Sequence, residues 1–390
     1  MKNSILQNLS ATTSSTSSTP STSLTPSTKI ILVRHARTTY NEQGRYQGSS
    51  DESVLTAKGH QDAFTTGLAL QRYNFDVIYT SPLTRVQQTT EAIVAALDAN
   101  NNLLPVFIDS LLTEIGMSYW QGLYYQEVKE KFAEAYECWQ NTPHLFSFNN
   151  VYPVLELFEK AKLFWQKVLS KHRGQTILIV AHGGTNQALI STAIALQPES
   201  YHSLQQSNCG ISHLEFTPNN DGKLKYLNAT EHLKETLPKL KAGKTGWRWL
   251  LLPETNAKSI SDRSLLGELC SDNFIDLLLT ETSLADSFAR ALATNCKIPH
   301  FILQENHFFD WQQAIINRQK SSIYTERSNL TTGLIIASDR LITQILNKTF
   351  QINIFHFEDS LAVIHYPQSK NNPILQGILP LTNRLVKSIQ

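Results

Sequence analysis

"KIILVRHARTTYN", residues 29–41, decides the fold. Ile30 to Val33 form an unbroken apolar run that ends on Arg34 and His35. A short run of this kind, bounded by polar residues, reads as a strand buried on both faces, and therefore as part of a parallel sheet. Open α/β sheets gather their ligands at the carboxyl ends of such strands. Taken alone, Arg34 and His35 are ordinary first residues of a loop, so the rest of the chain must decide what they do.

Two further segments share the layout. In "NFDVIYTSPLTRVQQTTEAIVAAL" (74–97) a strand over Asp76 to Thr80 meets Ser81-Pro82. A helix follows with Val86, Ile93 and Leu97 on one face, and Arg85 falls in its first turn. In "GQTILIVAHGGTNQALISTAIAL" (174–196) a buried strand, Ile177 to Ala181, turns through His182-Gly183-Gly184 into a helix starting near Thr185. The glycines permit close backbone approach to a ligand, and the helix start offers amide donors and a positive dipole end. "LLTEIGMSYWQG" (111–122) adds Glu114. Three strands thus feed two arginines and two histidines to one sheet edge, with a carboxylate nearby. That set suits a phosphoryl dianion: guanidinium forks match phosphate oxygens, a neutral imidazole nitrogen can attack phosphorus, and a carboxyl can protonate the leaving oxygen. No metal-ligand cluster is present, and the chemistry requires neither a metal nor another cofactor.

Composition sets the outer limits. The chain has 390 residues, of which 41% are hydrophobic and 17% charged, enough for two domains of ordinary size. A net charge of +1 gives no pointer to nucleic acid, and no apolar stretch approaches the length of a membrane span. Cys138, Cys209, Cys270 and Cys296 are widely spaced, which fits a reducing compartment, expected to be the cytoplasm. Residues 1–28, of which 10–28 are nearly all Ser, Thr and Pro, are expected to be a disordered Ser/Thr-rich tail. An acid-poor, Ser-rich start also resembles a transit peptide, which would place the protein in a plastid, although this one lacks arginine.

Residues 29 to about 217 resemble the histidine phosphatase superfamily, whose phosphoglycerate mutase-like members open with Arg-His-Gly. That motif matches Arg34-His35-Ala36; Thr38, Asn41 and Gln47-Gly48 match the elements that follow, and Leu55, Thr56, Gly59 and Ala63 match the next. By this likeness His35 is the phosphorylated nucleophile and Glu114 the acid/base. Arg34, Arg85, His182 and Asn41 bind the phosphoryl group, and Gln47 and Gly48 the substrate. "YPVLELFEKAKLFWQKVL", "AHGGTNQALISTAIAL" and "LQQSNCGISHLEF" look most like the 2-carboxy-D-arabinitol-1-phosphatase group. Ala36 and Ser118 stand where the family has glycine, and both are expected to narrow the pocket. The related mutases carry an arginine-rich insertion after the acidic residue, whereas no arginine occurs here between Arg85 and Arg173.

The second half reads as a worn copy of the first. "FIDLLLTETSLADSFARAL" (274–292) parallels the Arg85 segment, with Asp276 and Thr280 each 200 positions after Asp76 and Thr80, and Ala285 in the arginine's place. "LQENHFFDWQQ" places Glu305 and Trp311 like Glu114 and Trp120. "TGLIIASDRLITQIL" puts Ser338 in place of His182, and "RWLLLPETN" puts Pro253-Glu254 in place of Arg34-His35. The expected fold is a three-layer α/β sandwich of the phosphoglycerate mutase-like type over 29–236. A smaller degenerate, inactive copy follows over 247–370, joined through "LPKLKAGKTG" and pairing with the first inside the chain. The expected function is cofactor-independent phosphomonoester hydrolysis through phosphohistidine. The expected ligand is a small phosphorylated metabolite: a sugar phosphate or phosphoglycerate-like compound, with 2-carboxy-D-arabinitol 1-phosphate among the candidates. The competing readings are a phosphoglycerate mutase and a non-catalytic phospho-ligand binding or scaffold protein.

Overall fold

The computed structural model describes residues 26–97, 104–255, 275–281, 294, 298–302, 308–309, 330–352, 360–368 and 372–381. The first 25 residues of the Ser/Thr-rich start lie outside them. The first half contributes β1 (Thr28–Arg34), β2 (Val77–Thr80), β3 (Val106–Ile108), β4 (Thr176–Ala181), β5 (Ile211–Phe216) and β6 (Gly222–Ala229). The second contributes β7 (Gly246–Pro253), β8 (Leu277–Thr280), β9 (His300–Ile302), β10 (Leu330–Ala337), β11 (Ser360–Tyr366) and β12 (Ile374–Pro380). All join one sheet in the order β3-β2-β4-β1-β5-β6-β12-β11-β7-β10-β8-β9.

Outward from the β6–β12 seam, the two halves have the same order. The pairing senses repeat as well. β1 runs parallel to β4 and antiparallel to β5, and β7 runs parallel to β10 and antiparallel to β11. The seam itself is antiparallel, with Leu227 opposite Ile378, so the halves are related by a pseudo-two-fold axis through the sheet. Details agree with the copied order. Asp76 Oδ2 accepts from the Thr176 amide at 2.7 Å, and Asp276 Oδ2 accepts from the Thr332 amide at 2.6 Å. Arg34 sits opposite Ala181 as Pro253 sits opposite Ala337. The second unit extends past its expected end at 370, because the strand that closes the seam is β12. The counterparts assigned to Ala285, Glu305 and Trp311 fall outside the described residues.

Among the described residues the α-helices are α1 (Thr39–Gln43), α2 (Ala57–Leu70), α3 (Thr84–Leu97), α4 (Tyr125–Lys131), α5 (Ala133–Asn141), α6 (Pro153–Lys171), α7 (Gly183–Ala193) and α8 (Asp339–Phe350). Side chains alternate between faces along a strand, yet Ile30, Ile31, Leu32 and Val33 of β1 are all fully buried. Both faces of the sheet are therefore covered, by helices that include the packed pairs α2–α3 and α6–α7. α6 shows how the sequence achieves this. Pro153 starts it, where the missing N–H costs nothing, and Val154, Leu157, Phe158, Ala161, Phe164, Trp165 and Val168 form one buried stripe. Among the described residues no helix is long and apolar enough to cross a membrane.

The segment joining the halves is clamped rather than loose. Lys239 O accepts from Gln205 Nε2 at 3.0 Å, and Pro238 O accepts from the buried Gln376 Nε2. Deleting residues 242–390 strips β12 from β6 and leaves a strand edge unpaired, which invites pairing with another chain. The 1–241 fragment is expected to self-associate in sedimentation velocity. A monodisperse monomer would show that the seam is dispensable.

Candidate active site

β1 brings its terminal residues into a rigid frame because both neighbours continue to hold it past its last paired residue. His35 N donates to Ala181 O at 2.8 Å on the β4 side, and Cys209 N donates to Arg34 O at 3.0 Å on the β5 side. The His35 ring is 2% exposed, and its Nδ1 lies 2.8 Å from Ala36 O. A carbonyl can only accept, so Nδ1 carries the proton and Nε2 keeps its lone pair. Asn208 Nδ2 braces the same turn, donating to His35 O at 2.9 Å and to Asn41 Oδ1 at 3.0 Å. Asn41 Oδ1 also accepts from the Thr38 amide, which leaves its amide nitrogen available to a ligand oxygen.

His182 is the N-cap residue of α7, and its ring centroid lies 5.4 Å from that of His35. Its Nε2 is 2.7 Å from Ser81 Oγ, while its buried Nδ1 has no protein partner. Because the Leu83 amide donates to Ser81 Oγ, the hydroxyl proton is free to point at Nε2. The neutral imidazole then presents Nδ1–H as a donor. Burial, reinforced by Arg34 and Arg85, holds His35 well below the ordinary imidazole value. Burial, with Arg85, His35 and Arg34, does the same for His182.

Arg85, completely buried in the first turn of α3, donates through Nη1 to Ser50 O and through Nη2 to Gly48 O, both at 2.7 Å. Burial pulls it down to about 10, so it is still a cation at neutral pH. These bonds pull the 47–51 loop over the helix start, and Asp51 from that loop accepts from the Thr84 amide at 2.6 Å. Gly48 is required there. Its φ is +52°, and an added Cβ would run into the Gln121 side chain. Gln47 receives the Thr38 hydroxyl at 3.0 Å.

Glu114 docks on the start of α7. Its Oε2 accepts from Gly184 N and its Oε1 from Thr185 N, each at 3.0 Å, and Oε1 also accepts from Ile115 N at 2.9 Å. A carboxylate at a helix N-terminus meets free amides and a favourable dipole. A Cβ on Gly184 would lie 2.6 Å from Glu114 Oε1 and closer still to the Tyr201 hydroxyl, so only glycine admits the carboxylate.

Seven of the eight residues expected from sequence line one cleft of about 770 Å³: Arg34, His35, Asn41, Gln47, Gly48, Arg85 and Glu114. His182 is buried beside it, next to the lining residues Gly183 and Gly184, with its ring 5.4 Å from that of His35. Tyr46, Met117, Tyr125, Tyr136 and Trp139 wall the outer part of the cleft. The two departures from the family motif do not narrow it. Ala36 packs away from the cleft with Leu55, Ala63 and Cys209, and Ser118 is exposed with a positive φ of 42°.

Residues 30–230 match the family model described as "Histidine phosphatase superfamily (branch 1)". The chain belongs to the histidine phosphatase superfamily. It is 43% identical over 209 residues to a probable 2-carboxy-D-arabinitol-1-phosphatase of Arabidopsis thaliana, covering 54% of this chain and 42% of that one. It is 39% identical over 244 residues to the 2-carboxy-D-arabinitol-1-phosphatase of Triticum aestivum, covering 61% and 48% respectively. Phosphoserine phosphatase 1 of Hydrogenobacter thermophilus is 31% identical over 207 residues, covering 53% of this chain and 95% of that protein. The matched region thus spans less than half the length of either plant relative.

Sequence reasoning missed several residues around this cleft. Ser81 was given no role beyond following the strand end, and its pairing with His182 across 101 positions leaves no local signal. Asn208 lay within the quoted "LQQSNCGISHLEF" without a role. Lys241, in the joining segment, also lines the cleft.

Two expectations follow from this geometry. In the free protein both rings should remain unprotonated as pH falls to about 6, because depressed values move protonation below the ordinary 6.5. Imidazole nitrogen shifts in an NMR titration check this, and midpoints near 6.5 for both would contradict it. Gly184→Ala should displace Glu114 and lower kcat for phosphate release about 100-fold while the fold stays intact by circular dichroism. Unchanged turnover would mean that the carboxylate's seat does not matter.

Proposed function

We propose that the chain is a phosphomonoesterase acting on a small phosphorylated metabolite through a phosphohistidine at His35. The observation that carries this reading is the His35 Nδ1–Ala36 O bond, which leaves a lone pair on Nε2 in a cleft with two guanidiniums. Nε2 attacks phosphorus as the ester P–O bond breaks. The Glu114 carboxyl gives its proton to the departing oxygen. Arg34, Arg85, the amide of Asn41 and the Nδ1–H of His182 hold the three phosphoryl oxygens as charge shifts among them. The positive ring of phosphohistidine keeps its Nδ1–H on Ala36 O. Water then attacks phosphorus, Glu114 takes its proton, and the P–N bond breaks to release inorganic phosphate and restore the lone pair. The cations already present neutralise the phosphoryl charge, so no step calls on a metal or cofactor.

The names of the relatives support a substrate that carries a carboxylate as well as a phosphate, with 2-carboxy-D-arabinitol 1-phosphate and phosphoserine as the chemical models. Hydrolysis is favoured over a mutase reaction because the segment between Glu114 and α6 contributes Lys129 and aromatic walls to the cleft but no arginine. We read the chain as two domains, with the second inactive. Pro253-Glu254 stand at the strand end equivalent to Arg34-His35, and Ser338 occupies the N-cap of α8 as His182 does in α7. Cys138 and Cys209, both free thiols, suit the cytoplasm.

His35→Ala should lower phosphatase turnover at least about a thousandfold and abolish the acid-labile phosphoryl adduct formed by wild type. An equal amount of adduct trapped on the variant would remove His35 from the mechanism. Isomerisation of 3-phosphoglycerate without net phosphate release would instead favour the mutase.

A further inference from the structure

The cleft holds more positive charge than one phosphoryl group requires. Arg34, Arg85, Lys129 and Lys241 line it, against one carboxylate, Glu114, among the described residues. Lys241 lies outside the span matched by the family model, in the segment between β6 and β7. Its ammonium donates to Gln206 O, the same oxygen that accepts Arg34 Nη1 at 2.9 Å. One carbonyl therefore serves two cations.

Among the described residues Lys241 has no counter-ion of its own. Burial and the neighbouring Arg34 push its ammonium well below the ordinary lysine range, and among the described residues Glu235 is the carboxylate that draws it back. Glu235 is already engaged with Lys239 at 2.7 Å. Holding an ammonium in such a place is unfavourable unless an anion arrives to pair with it.

The second half keeps the lysine there. Gln205 N donates to Leu375 O at 3.0 Å, Gln205 Nε2 holds Lys239 O, and Gln376 Nε2 holds Pro238 O. Ile374 of β12 reaches the cleft wall itself. The strand that closes the seam thus also sets the segment that bears Lys241.

We infer that Lys241 recognises a second anionic group of the substrate, a carboxylate, while the phosphoryl group lies between Arg34 and His35. This rests on the phosphatase reading for the position of the phosphoryl group. A carboxylate fits better than a second phosphate. Lysine is a point charge with three donors, one of them spent on Gln206, whereas a phosphate dianion calls for forked donors. The degenerate half then acts in specificity, by presenting a residue that the catalytic half does not contain.

The test uses the full-length protein and calorimetric titration with 3-phosphoglycerate and glycerol 3-phosphate, which differ only by a carboxylate in place of a hydroxymethyl group. Wild type should bind 3-phosphoglycerate more tightly. Lys241→Met should weaken 3-phosphoglycerate about tenfold more than it weakens glycerol 3-phosphate, and Lys241→Arg should retain the preference. Equal weakening of both ligands by Lys241→Met would mark a structural tether, and absence of a wild-type preference would remove the carboxylate site; either overturns the inference. All titrations are made on full-length protein carrying His35→Ala, so that binding is read without turnover and wild type here denotes Lys241. Lack of a phosphoryl adduct on His35 would therefore defeat the phosphatase reading alone.

Discussion

The continued pairing of β1 beyond its own end is the constraint on which the site depends. A strand that frayed at Arg34 would leave the proposed nucleophile on a mobile loop. Here β4 accepts the His35 amide and the turn before β5 donates to Arg34 O, so the backbone of both residues is fixed by the sheet. Each ring and guanidinium is then aimed by a local bond: Ala36 O for His35, Gln206 O for Arg34. The precision of the site comes from hydrogen bonds made before any ligand arrives, which is how electrostatic preorganisation lowers a barrier.

The same logic governs Glu114 and His182. Both are set by the start of α7, one docked on its free amides and the other serving as its N-cap. A single helix terminus therefore positions the proposed acid/base and one proposed phosphate ligand, and Gly184 allows the two to meet without a steric clash. Small changes at this terminus move several groups together, so effects of substitutions there should not add.

The repeated strand order gives the second half, which we propose is inactive, a physical reason to persist. An isolated first half would end at β6 with an open edge, and β12 covers it. The cover also reaches inward, through Leu375 directly and through Gln376 by way of Asn228, to the loop that carries Gln205, Gln206 and Asn208. Sheet completion and cleft geometry are thus linked through one strand.

The sequence by itself determined the buried strands and their terminal chemistry. Short apolar runs bounded by polar residues read as double-covered strands, and a cation or imidazole soon after such a run points to the ligand edge. The strands that precede Arg34-His35, Arg85 and His182 were legible for that reason, as were those that precede Pro253-Glu254 and Ser338. The reading failed where a side chain's direction mattered: Ala36 and Ser118 flank the site in sequence, yet neither faces the cleft. Only the tertiary structure decided that the halves share one sheet, that Ser81 meets His182, and that Lys241 stands beside Arg34. Such contacts join residues far apart in the chain, and local periodicity records which face of an element is buried but not which distant group lies against it.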